Sequence, residues 1–242
     1  MNPILEVRDA TKKFGGLVAN EAITFNVKEG EIVGIVGPNG AGKTTLFNSI
    51  SGVHQLTRGK IVFNGKDISK KKSYQICELG VGRTFQIPQS INELTVFENV
   101  LVGALCHHPD MDQAEALANS VLEKSHIANL RDVYAVKLNV GQKKRLEIAR
   151  ALATEPKLLL LDETMAGLTA TERKDSVEFI RKINESGITI ITIEHNMDVV
   201  MTVSNRVVVL TSGKVLFEGT PAEVCSNEAV IDAYLRGSSC SK

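Results

Sequence analysis

The first third of the chain alternates apolar and polar positions in the way that β-strands do. Residues 23–27 are apolar at every second position, which is the spacing of a strand with one buried face. After a Glu-Gly break, residues 31–36 form a mostly apolar run that predicts a buried strand. Residues 61–63 lead into Asn64-Gly65, a dipeptide typical of a tight hairpin turn. We therefore expect an antiparallel layer that leads into a buried strand.

From about residue 92 to residue 153 the apolar spacing becomes helical, and we expect a mainly helical insert there. Strand patterns return afterwards, with one helix predicted at 171–184 and strands predicted at 158–161, 189–193, 207–210 and 215–217. An alternation of strands and helices implies a parallel sheet that is covered on both faces. The predicted fold class is therefore α/β.

Composition narrows the possible functions. The chain has 242 residues, and a hydrophobic fraction of 43% is enough to fill a core. Its 28 basic and 28 acidic residues cancel, and aromatic residues make up only 5%. Such a chain lacks the positive charge and the stacking residues of a dedicated nucleic-acid binder. Neutrality leaves little charge repulsion between copies, which favours a subunit of a complex.

The cysteines and the amino terminus give expectations about location. The four cysteines lie far apart without a CxxC pair, so neither a zinc site nor a disulfide framework is expected, and a reducing cytosol is the default. The apolar stretch at the amino terminus is too short for a signal peptide, and no run approaches the roughly 20 apolar residues of a membrane span. We expect a soluble chain that meets a membrane only through a partner.

The strongest motif is the segment 37–44, Gly-Pro-Asn-Gly-Ala-Gly-Lys-Thr, which matches G-x-x-x-x-G-K-[ST] between a predicted strand and an apolar helix. Glycines let successive backbone N–H groups point at phosphate oxygens, and a helix N-terminus favours an anion. Lys43 then reaches the outer phosphates, and the Thr44 hydroxyl binds Mg²⁺. The alternative is a glycine-rich turn that matches by chance, which the strand and helix on either side disfavour.

Three polar residues follow predicted strands at the edge where parallel sheets bind ligands. Asp162 ends the apolar run 158–161 and is expected to hold Mg²⁺, while Glu163 is placed to act as a general base on water. The alternative is that the two acids only end a strand and cap a turn. His195 follows 188–194, which favours contact with phosphate, although a single histidine is more often structural. Structural or solvent-facing roles are expected for His54, His107, His108 and His126.

Residues 138–142, Leu-Asn-Val-Gly-Gln, resemble the signature segment of the ATP-binding subunits of ABC transporters. With the phosphate loop and the two acids, the resemblance covers essentially the whole chain. It implies an α/β P-loop NTPase fold of the ABC ATPase type, with a mixed or parallel sheet core, an antiparallel β layer and a helical subdomain. Residues 1–242 would form one ABC ATPase domain. In it, 1–90 and 154–242 would form the nucleotide-binding core with the β subdomain, and 91–153 the helical subdomain with the signature segment.

The resemblance also implies site residues, with ATP and Mg²⁺ as cofactors. Catalysis is implied for Glu163, His195 and Gln86, and metal binding for Thr44, Gln86 and Asp162. The implied nucleotide-binding residues are Phe14, Gly37, Pro38, Asn39, Gly40, Ala41, Gly42, Lys43, Thr44, Thr45, Asn139, Gly141 and Gln142. Phe14 matches the aromatic residue that stacks on adenine, but a phenylalanine in an early strand fits a core position equally well. The cations at 143–145 oppose the dipole of the helix they begin, so they are either solvated or close to an anion.

The chain departs from the family pattern at four positions. The signature usually has Ser and Gly where this chain has Asn139 and Val140, and Pro usually stands at the position of Thr164. The loop that reaches across the dimer often has Asp at the position of Thr169. Asn139 still offers hydrogen bonds to phosphate, while Val140 adds bulk beside the nucleotide. We expect hydrolysis to be retained, because the functional residues implied by the resemblance are all present, namely Lys43, Gln86, Asp162, Glu163 and His195.

Several stretches resemble the importer subgroup for branched-chain amino acids, at 14–19, 82–86, 146–150, 193–198 and 218–221. The subgroup implies two membrane permease subunits, a second ATPase copy or a paralogue, and indirectly a periplasmic or extracellular binding protein. It implies no nucleic acid and a peripheral place at the cytoplasmic face of the membrane. Alternatives are an ABC system for urea or lipopolysaccharide, a soluble ABC-type ATPase acting on nucleic acid, or a kinase or GTPase with the same phosphate loop.

Overall fold

A computed structural model describes residues 3–194 and 196–237. The strands are β1 Leu5–Phe14, β2 Leu17–Val27, β3 Ile32–Val36, β4 Arg58–Phe63, β5 Lys66–Asp67, β6 Val81–Arg83, β7 Leu158–Asp162, β8 Thr189–Ile193, β9 Arg206–Thr211 and β10 Lys214–Gly219. The helices are α1 Lys43–Ile50, α2 Ser73–Glu78, α3 Val96–Ala104, α4 Met111–Lys124, α5 Val140–Leu152, α6 Ala170–Glu185, α7 Met197–Val203, α8 Pro221–Ser226 and α9 Glu228–Gly237. The chain divides into a first unit, Met1–Ile76 with Thr189–Lys242, and a second unit, Cys77–Ile188.

The antiparallel layer of the first unit is a sheet in the order β2-β1-β4-β5. The predicted alternation at 23–27 is confirmed, because Ile23, Phe25 and Val27 are buried while the residues between them are exposed. The predicted hairpin turn is also confirmed. Asn64 and Gly65 have φ of 50° and 74° and join β4 to β5, whose residues Phe63 and Lys66 are paired.

The parallel strands of the first unit surround β3, all five of whose residues are buried. β3 pairs in parallel with β8 on one side and with β9 on the other, and β10 adds to β9 in antiparallel fashion. A central strand that is buried on both faces explains the continuous apolar run, which has no polar alternation. The carboxyl end of β3 leads directly into the phosphate loop.

The second unit contains the helical insert. Val96 and Val100 of α3, Val121 and Leu122 of α4, and Leu146 of α5 belong to one buried apolar cluster. The helical spacing predicted for 92–153 is therefore confirmed by three helices that share a core. In the same unit, β6 pairs in parallel with β7, which is buried along its whole length.

Three helices near the carboxyl end, α7, α8 and α9, were not predicted. The helices α7 and α8 have only seven and six residues, too few turns for apolar periodicity to show. Their starts nevertheless carry capping signals. The Thr220 hydroxyl accepts a hydrogen bond from the backbone N–H of Glu223, and the Glu223 carboxylate accepts one from the backbone N–H of Thr220. Pro221 is the first helical residue. Within residues 3–194 and 196–237, no helix combines the length and apolarity that crossing a bilayer requires.

Candidate active site

The phosphate loop lies in the first unit between β3 and α1. Gly42 precedes α1 with φ of 96°, and no side chain caps the helix, so the first backbone N–H groups of α1 are not used by a cap. Lys43 is buried, and its Nζ donates to the carbonyl oxygens of Gly37 at 2.6 Å and Pro38 at 3.1 Å. These bonds hold the ammonium group against the loop. The N-terminus of α1 and the ammonium together form a site for an anion.

Two glycines of this loop cannot be replaced by a residue with a side chain without moving neighbouring atoms. A Cβ on Gly37 would lie 2.2 Å from the carbonyl oxygen of Leu210. A Cβ on Gly42 would lie 2.4 Å from both the carbonyl oxygen of Ala19 and Nδ2 of Asn20, and that amide donates to the Gly42 carbonyl at 3.0 Å. Both glycines also have φ in the range that L side chains rarely adopt. The loop is therefore fixed by its neighbours in one backbone path.

The solvent-facing side of the loop is formed by Asn39, Gly40 and Thr44, while Ala41 is buried and Pro38 and Thr45 are half-buried. The exposed hydroxyl of Thr44 is a hard oxygen ligand of the kind that Mg²⁺ prefers. Among the residues that the structure describes, no group of three or more His, Cys, Asp or Glu is arranged to hold a metal ion.

In the second unit, Asp162 and Glu163 occupy the carboxyl end of β7. Asp162 is 1% exposed, and Nη2 of Arg83 lies 3.4 Å from its Oδ2. Glu163 is 7% exposed, and its Oε2 accepts a hydrogen bond from Nε2 of Gln86 at 2.9 Å. The second unit therefore brings together Gln86, Asp162 and Glu163.

Glu163 has φ of 50°, a left-handed conformation that is uncommon for a residue other than glycine. Such a conformation costs about 1–3 kcal/mol and persists only where surrounding contacts impose it. One such contact is Lys144, which is buried and donates from Nζ to the carbonyl oxygens of Glu163 at 2.7 Å and Ala166 at 2.6 Å. Lys144 therefore stabilises the turn that carries the carboxylate.

The position of Lys144 corrects the interpretation of the basic run 143–145. The solvated interpretation is wrong for Lys144, because the side chain is buried and its ammonium is bound to two carbonyl groups inside the unit. Arg145 is also turned inward, with its guanidinium 4.1 Å from the ring centroid of Phe179, and burial lowers its pKa. These contacts join α5 to the turn after β7 and to α6. The spacing of residues in the sequence does not reveal them.

The signature segment begins α5. The Asn139 side chain accepts a hydrogen bond from the backbone of Gln142 at 2.8 Å, and the Gln142 side chain accepts one from the backbone of Asn139 at 3.0 Å. This capping box explains how Asn139 replaces the usual residue without loss of the helix start. Gly141 lies between them beside a cavity of about 330 Å³, and Asn139 and Gln142 also line that cavity. The three residues are therefore next to one another at an accessible surface.

Thr169, another departure from the family pattern, has a comparable role. It precedes α6, and its hydroxyl accepts a hydrogen bond from the backbone of Glu172 at 3.3 Å. The Glu172 carboxylate accepts one in return from the backbone of Thr169 at 2.8 Å. A second capping box thus stabilises the loop that leads from Glu163 into α6.

Phe14 is 42% exposed at the end of β1, so the core interpretation is wrong. Its ring meets the His54 ring edge to face at a centroid distance of 5.2 Å, and Nζ of Lys12 lies 4.8 Å from its centroid. An exposed aromatic face of this kind is available for stacking. His195 lies outside the described residues.

Glu147 on α5 was not predicted as a functional residue. It is 3% exposed, and its Oε1 accepts a hydrogen bond from the backbone N–H of Gln89 at 3.2 Å. Burial raises the pKa of Glu147 to about 6, although the hydrogen bond from Gln89 and the charge of Arg150 oppose that shift. Glu147 therefore anchors the segment just after Gln86.

We expect Glu147→Gln to stabilise the fold above pH 6 and to have little effect on stability below pH 4.5. The folded protein holds the Glu147 proton more tightly than the unfolded chain, because its pKa rises from 4.5 to about 6 on folding. Ionised Glu147 therefore lowers the free energy of unfolding, and the full loss, on the order of 2 kcal/mol, is present above pH 6. The glutamine side chain at position 147 keeps an oxygen that accepts the hydrogen bond from the Gln89 backbone N–H, and it carries no negative charge.

Thermal unfolding of wild type and Glu147→Gln on both sides of this pH window measures the effect. The control Glu115→Gln makes the same change at an exposed position on α4. An equal stability difference for Glu147→Gln at both ends of the window would contradict the raised pKa.

Comparison with known proteins gives the family. A family model for ABC transporters matches residues 20–166, and a model for branched-chain amino acid ATP-binding cassette transporters matches residues 214–235. The high-affinity branched-chain amino acid transport ATP-binding protein BraF of Pseudomonas aeruginosa is 39% identical, over 96% of this chain and 98% of that one.

Solved structures agree with this assignment. The ADP conformation of MJ1267, an ATP-binding cassette of an ABC transporter, superposes with a TM-score of 0.87 at 32% identity, over 97% of this chain and 99% of that chain. A dimeric post-hydrolysis state of the cassette MJ0796, bound to ADP and Pi, superposes with a TM-score of 0.82 at 26% identity, over 90% of this chain and 98% of that chain.

These findings confirm four predictions, namely the family, the α/β P-loop fold of the ABC ATPase type, the ATP-binding transport function and the ATP hydrolase activity. They also show that this chain belongs to a family whose ATP-binding domains bind adenine nucleotides. The chain belongs to the ABC transporter family, as an ATP-binding and ATP-hydrolysing subunit of the branched-chain amino acid group.

Proposed function

We propose that this chain hydrolyses ATP to energise the uptake of branched-chain amino acids through membrane permeases. The observation that carries the catalytic part is Glu163, which is buried at the end of β7, held in a left-handed conformation and hydrogen-bonded by Gln86. The substrate follows from the match at residues 214–235 and from the function of relatives such as BraF.

The ATP phosphates would be bound by the phosphate loop, with Lys43 turned toward the outer phosphates and the N–H groups at the start of α1 donating to them. Phe14 would stack on adenine. Thr44 would hold Mg²⁺ together with Asp162 and Gln86, since their hydroxyl, carboxylate and amide oxygens suit that ion. Bound there, Mg²⁺ would neutralise the charge that develops between the β- and γ-phosphates.

Glu163 would accept a proton from the attacking water as the general base. The hydrogen bond from Gln86 would hold the Glu163 carboxylate in position for this step. His195 would contact the γ-phosphate. Lys144 would position Glu163 through the backbone of the turn that carries it.

The remaining nucleotide contacts would come from a second ATPase subunit. Asn139, Gly141 and Gln142 of one copy would bind the nucleotide held by the phosphate loop of the other, in a homodimer or in a heterodimer with a paralogue. The exposed cavity beside Gly141 leaves room for such a contact. Residues 1–90 and 154–242 would form the nucleotide-binding core, and 91–153 the helical subdomain.

The other partners would be two membrane permease subunits and, through them, a periplasmic or extracellular binding protein. The chain would lie at the cytoplasmic face of the membrane as a peripheral subunit. The exposed apolar side chains Phe85 and Ile87 beside Gln86 fit a contact between the catalytic segment and a permease. Nucleic acid has no part in this function.

Uptake of radiolabelled leucine by cells that lack the gene tests this proposal. We expect leucine and isoleucine uptake to fall relative to the parent strain and to return when the gene is supplied again. Urea uptake, measured in the same cells, is the control for the alternative substrate. Unchanged leucine uptake together with lost urea uptake would contradict the proposed substrate.

A further inference from the structure

Two cysteine thiols lie side by side in the second unit. Cys77 is in the last turn of α2, and Cys106 follows the end of α3, yet their Sγ atoms are 4.0 Å apart. Cys106 is exposed and Cys77 is half-buried. In the described part of the chain, no third Cys, His, Asp or Glu joins them in a group suited to a metal ion. The pair therefore suits thiol chemistry better than metal binding.

The two thiols differ in exposure, and this difference assigns each of them to one step of a disulfide exchange. Cys106 is accessible to a small reagent from solution, so it is the thiol that reacts first. Cys77 is shielded but already in contact with Cys106, so it is placed to attack a sulfur attached there. A disulfide needs the two sulfur atoms, now 4.0 Å apart, to approach to about 2 Å.

We propose that Cys77 and Cys106 form a reversible intramolecular disulfide by exchange with a low-molecular-weight disulfide such as oxidised glutathione. The Cys106 thiolate attacks one sulfur of the glutathione disulfide, whose S–S bond breaks and releases one glutathione thiolate. The Cys77 thiolate then attacks the Cys106 sulfur and releases the second glutathione. Two protein thiols are oxidised, one glutathione disulfide is reduced, and the two thiol protons end on the two glutathione molecules.

The second step has a characteristic pH dependence. Burial raises the pKa of Cys77 to about 11, and Cys106 and Glu78 raise it further, while a hydrogen bond from Thr154 opposes them. The thiolate fraction of Cys77 therefore increases with pH throughout the range up to about 11. The glutathione adduct on Cys106 forms first. The attack of Cys77 on that adduct, which forms the disulfide, is expected to be slow near neutral pH and faster at alkaline pH.

The disulfide would close a loop that contains the catalytic glutamine. Residues 78–105 lie between the two cysteines, and Gln86, which donates to Glu163, is among them. Joining the two ends of this loop restricts the segment that carries Gln86. We expect a several-fold lower kcat for ATP with an unchanged KM, and this consequence rests on the proposed function of Gln86.

Peptide mapping of the full-length protein after treatment with oxidised glutathione tests the disulfide itself. Free thiols are alkylated, the protein is digested, and the masses of the peptides are measured at neutral and alkaline pH. We expect a peptide that joins the Cys77 and Cys106 segments, whose yield rises with pH. The exposed thiol Cys225 of the first unit should carry only a glutathione adduct. The proposal is wrong if Cys106 keeps its glutathione adduct at every pH while Cys77, alkylated after unfolding, is found to have remained a free thiol.

Three variants connect the disulfide to turnover. Cys77→Ser should leave Cys106 with a stable glutathione adduct, and Cys106→Ser should leave Cys77 unmodified. The matched control, Cys225→Ser, should still form the joined peptide and lose ATPase activity on oxidation. Activity should return with a dithiol reductant. Unchanged kcat in the fully joined form would overturn the regulatory role, while ATPase activity of the reduced protein tests the proposed function separately.

Discussion

Replacing Glu163 by glutamine should lower ATP hydrolysis by about 10²–10⁴-fold, because the variant loses the group that accepts the proton from water. The amide has the same size, and its oxygen can still accept the hydrogen bond that Gln86 donates at 2.9 Å. The bonds from Lys144 reach backbone carbonyls and are unaffected. The fold and the ATP affinity should therefore stay close to those of the wild type.

Phosphate release under saturating ATP measures the loss, and equilibrium titration with ATP checks that binding is retained. Glu178→Gln is the matched control, since it makes the same change at an exposed position on α6 and should leave turnover unchanged. Turnover of Glu163→Gln within a few-fold of the wild type would show that another group activates the water.

Replacing Gly42 by alanine should weaken ATP binding by about 10²-fold or more, because a displaced loop no longer presents its N–H groups to phosphate. The new methyl group would lie 2.4 Å from the carbonyl oxygen of Ala19 and 2.4 Å from Nδ2 of Asn20. The first of these is backbone, so no side-chain rotation relieves the contact. The left-handed φ of 96° adds about 1–2 kcal/mol of strain for alanine.

The variant Gly65→Ala separates the effect of backbone strain from the effect of steric contact with neighbouring atoms. Gly65 has φ of 74° in the β4–β5 turn, but a Cβ there meets no atom within 4 Å. Alanine at 65 should therefore cost stability through backbone strain alone and leave the ATP affinity unchanged in an equilibrium titration. ATP affinity of Gly42→Ala equal to that of wild type would mean that the loop tolerates the displacement, contrary to the structure.

Features encoded by contiguous residues could be predicted from the sequence. The phosphate loop, the buried run before Asp162 and the Asn64-Gly65 turn each depend on neighbours within a few positions, and each lies where the pattern places it. The helical insert could also be predicted, because α4 and α5 are long enough to show apolar periodicity.

Roles that depend on distant contacts could not be predicted. Lys144 and Glu147 stand one helical turn apart in a basic, polar stretch, and spacing alone suggests a solvated face. Their ammonium and carboxylate groups are instead buried against the turn after Glu163 and the segment after Gln86. Tertiary packing decides which polar side chains of such a helix are buried as well.

The departures from the family pattern have local explanations. Asn139 and Thr169 each begin a helix, and each forms a capping box with the residue three positions later. Capping selects among Ser, Thr, Asn and Asp with little difference in free energy, so either residue can replace its usual counterpart without loss of the helix start. The structure gives no comparable reason for Val140, which is exposed at the first position of α5.

Leucine uptake in the gene-deletion strain carrying either wild type, Glu163→Gln or Glu178→Gln tests the central claim, that hydrolysis at Glu163 drives transport. The protein level of each variant is matched by immunoblot before uptake is compared. We predict that wild type and Glu178→Gln restore uptake, and that Glu163→Gln leaves uptake at the level of the deletion strain. Restored leucine uptake with Glu163→Gln would contradict the account.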